Sequence, residues 1–192
     1  MAILQTVLVC LLAFTATLAE PTEGAKAVGD IVKFLEANIK VWVYNTSEEN
    51  EKNITCRHDV RVNITQEEIF FHRINNTSPE LLKGKFVNWN DPDNVTYDAM
   101  YVTDTGNRSV TDEVIEYVSS DSSCAVVSVS LMKTDQAETL REIRVSEDAL
   151  ERGPDEGCRN KFEEILGLAK KNARSQYSPT CKKNRTSANL AQ

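Results

Sequence analysis

Thr139 to Val145 reads TLREIRV. Successive side chains of a strand point to opposite faces. Leu140, Glu142 and Arg144 therefore share one face, and Ile143 and Val145 take the other. If Glu142 and Arg144 meet solvent, this is an ordinary outer strand. If they meet an interior, that interior is a polar pocket and the protein is a binder.

Seven further runs have the same strand character: 39–45 (IKVWVYN), 54–65 (ITCRHDVRVNIT), 67–73 (EEIFFHR), 84–90 (GKFVNWN), 95–103 (VTYDAMYVT), 109–118 (SVTDEVIEYV) and 124–132 (CAVVSVSLM). The eighth, 137–145, holds the opening stretch. The breaks between them (NNTSPE, DPDN, DTGN, SSDSS, ERGPDEG) carry turn chemistry. Eight evenly spaced strands with short polar turns predict an antiparallel barrel or a sandwich. Two amphipathic helices bracket them. In 25–38, Val28, Ile31, Val32 and Leu35 fall at helical spacing. In 158–171, Phe162, Ile165, Leu166 and Ala169 form one stripe, with acids first and lysines last, as the helix dipole favours.

Residues Ile3 to Leu18 are uncharged and end in the small-residue pattern Thr17-Leu18-Ala19, followed by Glu20 and Pro21. This predicts a secretory signal peptide over 1–19. One domain over 20–181 and a polar, flexible tail over 182–192 follow from it. The formal charge of −7 argues against nucleic acid or an anionic membrane as partner.

Four cysteines remain beyond the signal: Cys56, Cys124, Cys158 and Cys181. In a secreted chain they predict two disulfides, with three connectivities open. No CxxC pair occurs, and His58 and His72 add no ligand spacing, so no metal site is expected. No cofactor is expected either. GxSxG, GxGxxG and phosphate-loop motifs are absent, and the chain is not expected to be an enzyme.

Asn-x-Ser/Thr sequons begin at Asn45, Asn53, Asn63, Asn75, Asn76, Asn94, Asn107 and Asn184. They predict a glycoprotein, and a glycosylated asparagine points outward. Counting from Asn45 turns Trp42 and Tyr44 inward. Counting from Asn63 puts Arg57, Asp59 and Arg61 outside and His58, Val60, Val62 and Ile64 inside. Counting from Asn94 turns Val95, Tyr97, Ala99 and Tyr101 inward. A bulge would break any of these counts.

DEVIEYVSSDSSCAVVSV (Asp112 to Val129), LREIRVSED (Leu140 to Asp148), CRNKFEEI (Cys158 to Ile165) with YSPTC ending at Cys181, and MYVTDTG (Met100 to Gly106) occur in this order. So arranged, the chain resembles the tick salivary lipocalins, the histamine-binding protein family, over nearly all of its mature length. The resemblance implies an eight-stranded antiparallel lipocalin barrel with a short N-terminal helix and a C-terminal helix packed outside. It implies disulfides Cys56–Cys181 and Cys124–Cys158. It also implies a secreted, monomeric protein of tick saliva that sequesters a small host mediator against host defence, a biogenic amine such as histamine or serotonin first.

Three positions match the family's amine site: Tyr101 in the hairpin, Glu113 in the acid-Val-Ile-x-Tyr segment, and Glu142 in the strand where the family carries Glu-Leu-Trp. Aromatic faces and carboxylates suit an ammonium ligand. Trp42 and Tyr44 join the candidate set by the sequon count. Two departures stand out. The tryptophan of Glu-Leu-Trp is Arg144 here, and the aromatic two residues before the acid is Thr111. With Glu142 inside, parity brings Arg144 toward the same side. Arg144 can then pair with Glu142, hold the carboxylate of a leukotriene, thromboxane or fatty acid, or reach water at the rim. Three readings follow. An amine scavenger needs unpaired interior acids. A lipid scavenger needs an apolar tunnel with a base. A protein-binding lipocalin needs a filled barrel with an apolar patch at its loops.

Overall fold

The computed structural model describes residues 30–48, 54–75, 78–90, 96–132 and 138–182. The expected signal peptide, the tail beyond Lys182, and Asn53, Asn76, Asn94 and Asn184 lie outside the described residues. Helix α1 (Ile31–Ala37) leads into β1 (Lys40–Thr46), β2 (His58–Ile64), β3 (Glu68–Ile74), β4 (Glu80–Val87), β5 (Ala99–Asp104), β6 (Ser109–Val118), β7 (Cys124–Leu131) and β8 (Glu138–Ser146). A 3-10 turn (Glu147–Ala149), α2 (Glu156–Ala169) and a two-residue β9 (Arg174–Ser175) complete the chain.

The strands pair antiparallel in the order β2-β3-β4-β5-β6-β7-β8-β1, and β1 also pairs with β2. The sheet thus closes into a barrel, which removes its edges. The β1–β2 seam is short, covering only Lys40 to Trp42 on β1. Beyond it, β9 takes the free edge of β1 at Asn45 and Thr46. The Cys56–Cys181 disulfide secures the segment that follows β9, and Cys124–Cys158 joins β7 to α2. Both pairings agree with those the resemblance implies.

The core has two layers. Inside the barrel, Val41, Ile69, Phe71, Leu82, Phe86, Met100, Val102, Ile115, Ala125, Val127, Val129 and Leu140 pack together from seven strands. Ile31, Val32, Phe34 and Leu35 of α1 plug one end. Asp30 caps that helix by accepting from Lys33 N at 3.0 Å. Outside, Phe162, Ile165 and Leu166 of α2 cover Trp42, Val126, Ile143 and Val145. Asp155 starts α2 by accepting from Cys158 N at 2.7 Å, and Lys170 ends it in the left-handed conformation. So TLREIRV divides with Ile143 and Val145 beneath α2 and Leu140 in the barrel core.

Two of the sequon counts fail at bulges. The β1–β8 register slips between Val43 and Asn45. Trp42 pairs with Val145 and Asn45 with Ile143, so both lie on the outer face. Trp42 and Tyr44 therefore belong to the outer layer beneath α2, not to the interior, and Val41 faces inward. The β2–β3 register slips between Arg61 and Asn63. Asn63 is exposed as expected, but Val62 is 58% exposed and Arg57 and Asp59 turn inward. An extra residue in one strand exchanges the faces beyond it, and nothing in either strand's composition marks the spot.

The third count fails before its strand begins. Tyr97 and Met100 both pack in the interior, so the chain changes face at Asp98 and Ala99. Asp98 is fully buried and accepts from Trp89 N, Asn90 N and Asn90 Nδ2. This clasp ends β4 at Val87, although the sequence suggested a strand through residue 90. Tyr101 is consequently on the outer face, 41% exposed, edge-on to Trp89 with centroids 6.1 Å apart.

Candidate functional site

Glu142 and Arg144 of β8 enter the barrel on the face opposite Ile143 and Val145. There they meet Glu113 of β6, Arg73 of β3, and Arg57 and Asp59 from the β2 segment. Arg144 donates to Glu142 Oε2 from Nε (3.1 Å) and Nη2 (3.0 Å), and to Glu113 Oε2 from Nη1 (2.6 Å). Arg73 donates to Glu113 Oε1 (2.8 Å) and to both Asp59 oxygens (3.0 and 2.8 Å). Arg57 pairs with Glu142 Oε1. Thr111 Oγ1 donates to Glu113 Oε1 at 2.9 Å. Two strands, β4 and β5, separate β3 from β6 in the sheet, so the Arg73–Glu113 contact crosses the barrel interior.

The cluster holds three guanidiniums and three carboxylates, which is how buried charges survive at all. Burial alone would raise the Glu113 carboxyl, but Arg144 and Arg73 beside it hold it well below the usual carboxylate range. Burial would lower Arg73, but Asp59 and Glu113 raise it above an ordinary arginine. Arg57 differs. Burial, then the like charges of Arg73 and Arg144, bring it down to about 10.

Access is uneven. Arg57, Asp59 and Arg73 keep 17%, 17% and 13% of their side chains exposed, whereas Glu113 and Glu142 keep none. Toward α1, Asp59 and Arg61 line a small cavity with Leu35, Val41, Phe71 and Met100 that leaves about 20 Å³ free. That is about the room one water needs. Arg61 itself is engaged, donating to Leu35 O and Glu36 O at the end of α1.

Of the residues chosen from sequence, the structure brings Glu113, Glu142 and Arg144 together and sets Tyr101, Trp42 and Tyr44 outside. It adds Arg57, Asp59, Arg73 and Thr111. Arg73 shares parity with Phe71, an interior residue, and could have been found on that ground. Arg57 and Asp59 were hidden by the bulge that reverses the count from Asn63.

No family model matches the chain, and no curated protein matches it. Among solved structures it is similar to the siderocalin Ex-FABP, described as functioning through dual ligand specificities, with TM-score 0.57 at 8% identity over 74% of this chain and 95% of that one. It also aligns with apocrustacyanin C1, with TM-score 0.43 at 10% identity over 74% of this chain and 79% of that one. The first similarity establishes the lipocalin fold, a closed eight-stranded antiparallel barrel with a helix packed outside.

Proposed function

We propose that the protein is a secreted, monomeric lipocalin that sequesters a small carboxylate-headed mediator of the leukotriene, thromboxane or fatty-acid class, with the head at Arg57 and Arg73. One observation carries this reading: Arg57, Arg73 and Asp59 of the buried cluster keep 17%, 13% and 17% of their side chains exposed, two guanidiniums to one carboxylate, while Glu113 and Glu142 keep none. An entering anion meets Arg57, which already sits in the field of two other arginines and gains from a further negative partner. The free space beside the cluster at the α1 end is about 20 Å³, short of the apolar tunnel this ligand class calls for, so the tail has to displace interior side chains such as Leu82, Val102 and Val129. Two disulfides accord with an oxidising compartment. Tick saliva and the blunting of host defence come from the family resemblance alone.

A biogenic amine is the second reading. Glu142 is buried and meets Arg57 through Oε1. An ammonium could take that place only by expelling Arg57. Of the aromatics expected around the amine, Tyr101 is on the outer face and Trp42 and Tyr44 lie in the outer layer beneath α2; none lines the interior, which weakens this reading relative to the first.

Organic extraction of the protein purified from its secreting source, followed by mass spectrometry, tests the class. A carboxylate-bearing lipid near one per chain is expected. An extract without any such lipid, from protein that also takes none up when offered, sinks the proposal.

A further inference from the structure

A second concavity lies outside the barrel. Tyr44, Leu150, Glu151, Tyr177, Pro179 and Lys182 line an open groove of about 470 Å³, a volume typical of small-molecule sites. Its wall is aromatic. The rings of Tyr44 and Tyr177 lie 24° from parallel with centroids 5.8 Å apart, and Trp42 meets Tyr177 edge-on at 5.4 Å.

The wall is also braced. Gln176 N donates to Tyr44 O at 2.9 Å, and Cys56 N donates to Gln176 O at 3.1 Å. The Cys56–Cys181 disulfide ties down the segment that carries Tyr177, Pro179 and Lys182. Gly153, at φ +73°, passes so close that a Cβ there would sit 3.2 Å from the Tyr44 hydroxyl.

The charges at the rim are unequal in availability. Glu147 accepts from Trp42 Nε1 and pairs with Lys40 at 2.7 Å, and Lys182 also acts on it. Glu151 is exposed and makes no ion pair among the described residues. Burial first, then the negative charges of Glu147 and Glu151, raise the Tyr177 hydroxyl; Lys182 is a cation in the same lining.

We propose that this groove is an external binding site for an arylalkylammonium, its ring against the Tyr44–Tyr177 wall and its ammonium at Glu151. Aromatic faces attract cations and stack on rings, and Glu151 supplies the counter-charge. The site is separate from the arginine cluster and does not depend on what the barrel holds.

The test is a titration of the full mature chain with phenethylammonium chloride, followed by NMR of the tyrosine rings, with 2-phenylethanol as the neutral isostere. The Tyr44 and Tyr177 resonances are expected to shift saturably with the ammonium and several-fold more weakly with the alcohol. Glu151→Gln, an exposed change that spares the fold, is expected to weaken the ammonium by about threefold to fivefold and leave the alcohol unchanged. Three results would overturn the proposal: no shift at either ring, equal affinity for the alcohol, or an ammonium affinity that Glu151→Gln does not alter. Shifts confined to interior methyls such as Val129 and Leu140 would also overturn it, by placing the amine in the barrel.

Discussion

Arg144 joins the two sealed acids of the barrel. Arg144→Met removes one guanidinium from both Glu113 and Glu142 and leaves them in a low-dielectric interior. Breaking a buried pair of this kind costs about 3–5 kcal/mol, so the urea midpoint of the variant should fall well below that of the wild type. An unchanged midpoint would mean the cluster is not buried as described. Glu113 makes a separate claim about pH. Its folded pKa lies below its unfolded value of about 4.3. Its stabilising contribution is therefore full above that unfolded value and is lost as pH falls through the lower folded pKa. Glu113→Gln should flatten the acid limb of a stability–pH curve, which thermal melts from pH 7 to pH 2 would show. At this scale the sequence revealed Glu113, Glu142 and Arg144, because charged residues at alternate positions of a strand declare their shared face. It concealed Arg57 and Asp59, because one extra residue after Arg61 exchanges the faces.

The elements were legible to different degrees. β6 lies within its expected bounds, and β7, β8 and α2 fall within one or two residues of theirs, because each has a strong apolar period and a marked break. β4 begins four residues earlier than expected and ends sooner, because the Asp98 clasp that stops it is a long-range contact. β9 is two residues long and has no periodicity to read. Packing between elements yields its own test. Gly157 opens the first turn of α2 against β6, where a Cβ would collide with the Tyr117 hydroxyl. Gly157→Ala should destabilise by about 1–3 kcal/mol through overpacking, although alanine favours helix. A variant that melts at or above the wild-type temperature would show that α2 does not press on Tyr117.

At the scale of the whole molecule, closure of the barrel gives the buried charges their setting. Eight strands enclose an interior just wide enough for side chains or one small ligand. Here a salt-bridge network crosses that interior, and Arg57, Asp59 and Arg73 are its part-exposed members. Sequence alone could reach the barrel and the charged face of β8. It could not reach the sign of the charge an entering ligand meets, because that depends on residues of the β2 segment and of β3 meeting those of β6 and β8 once the barrel closes. The most direct test is calorimetric titration of leukotriene B4 and histamine into wild type and Arg57→Gln. The account predicts saturable one-to-one binding of the leukotriene, weakened about tenfold to a hundredfold by loss of the charge-assisted hydrogen bonds, and no binding of histamine inside the barrel. Micromolar histamine binding with interior contacts, or leukotriene binding indifferent to Arg57→Gln, would contradict it.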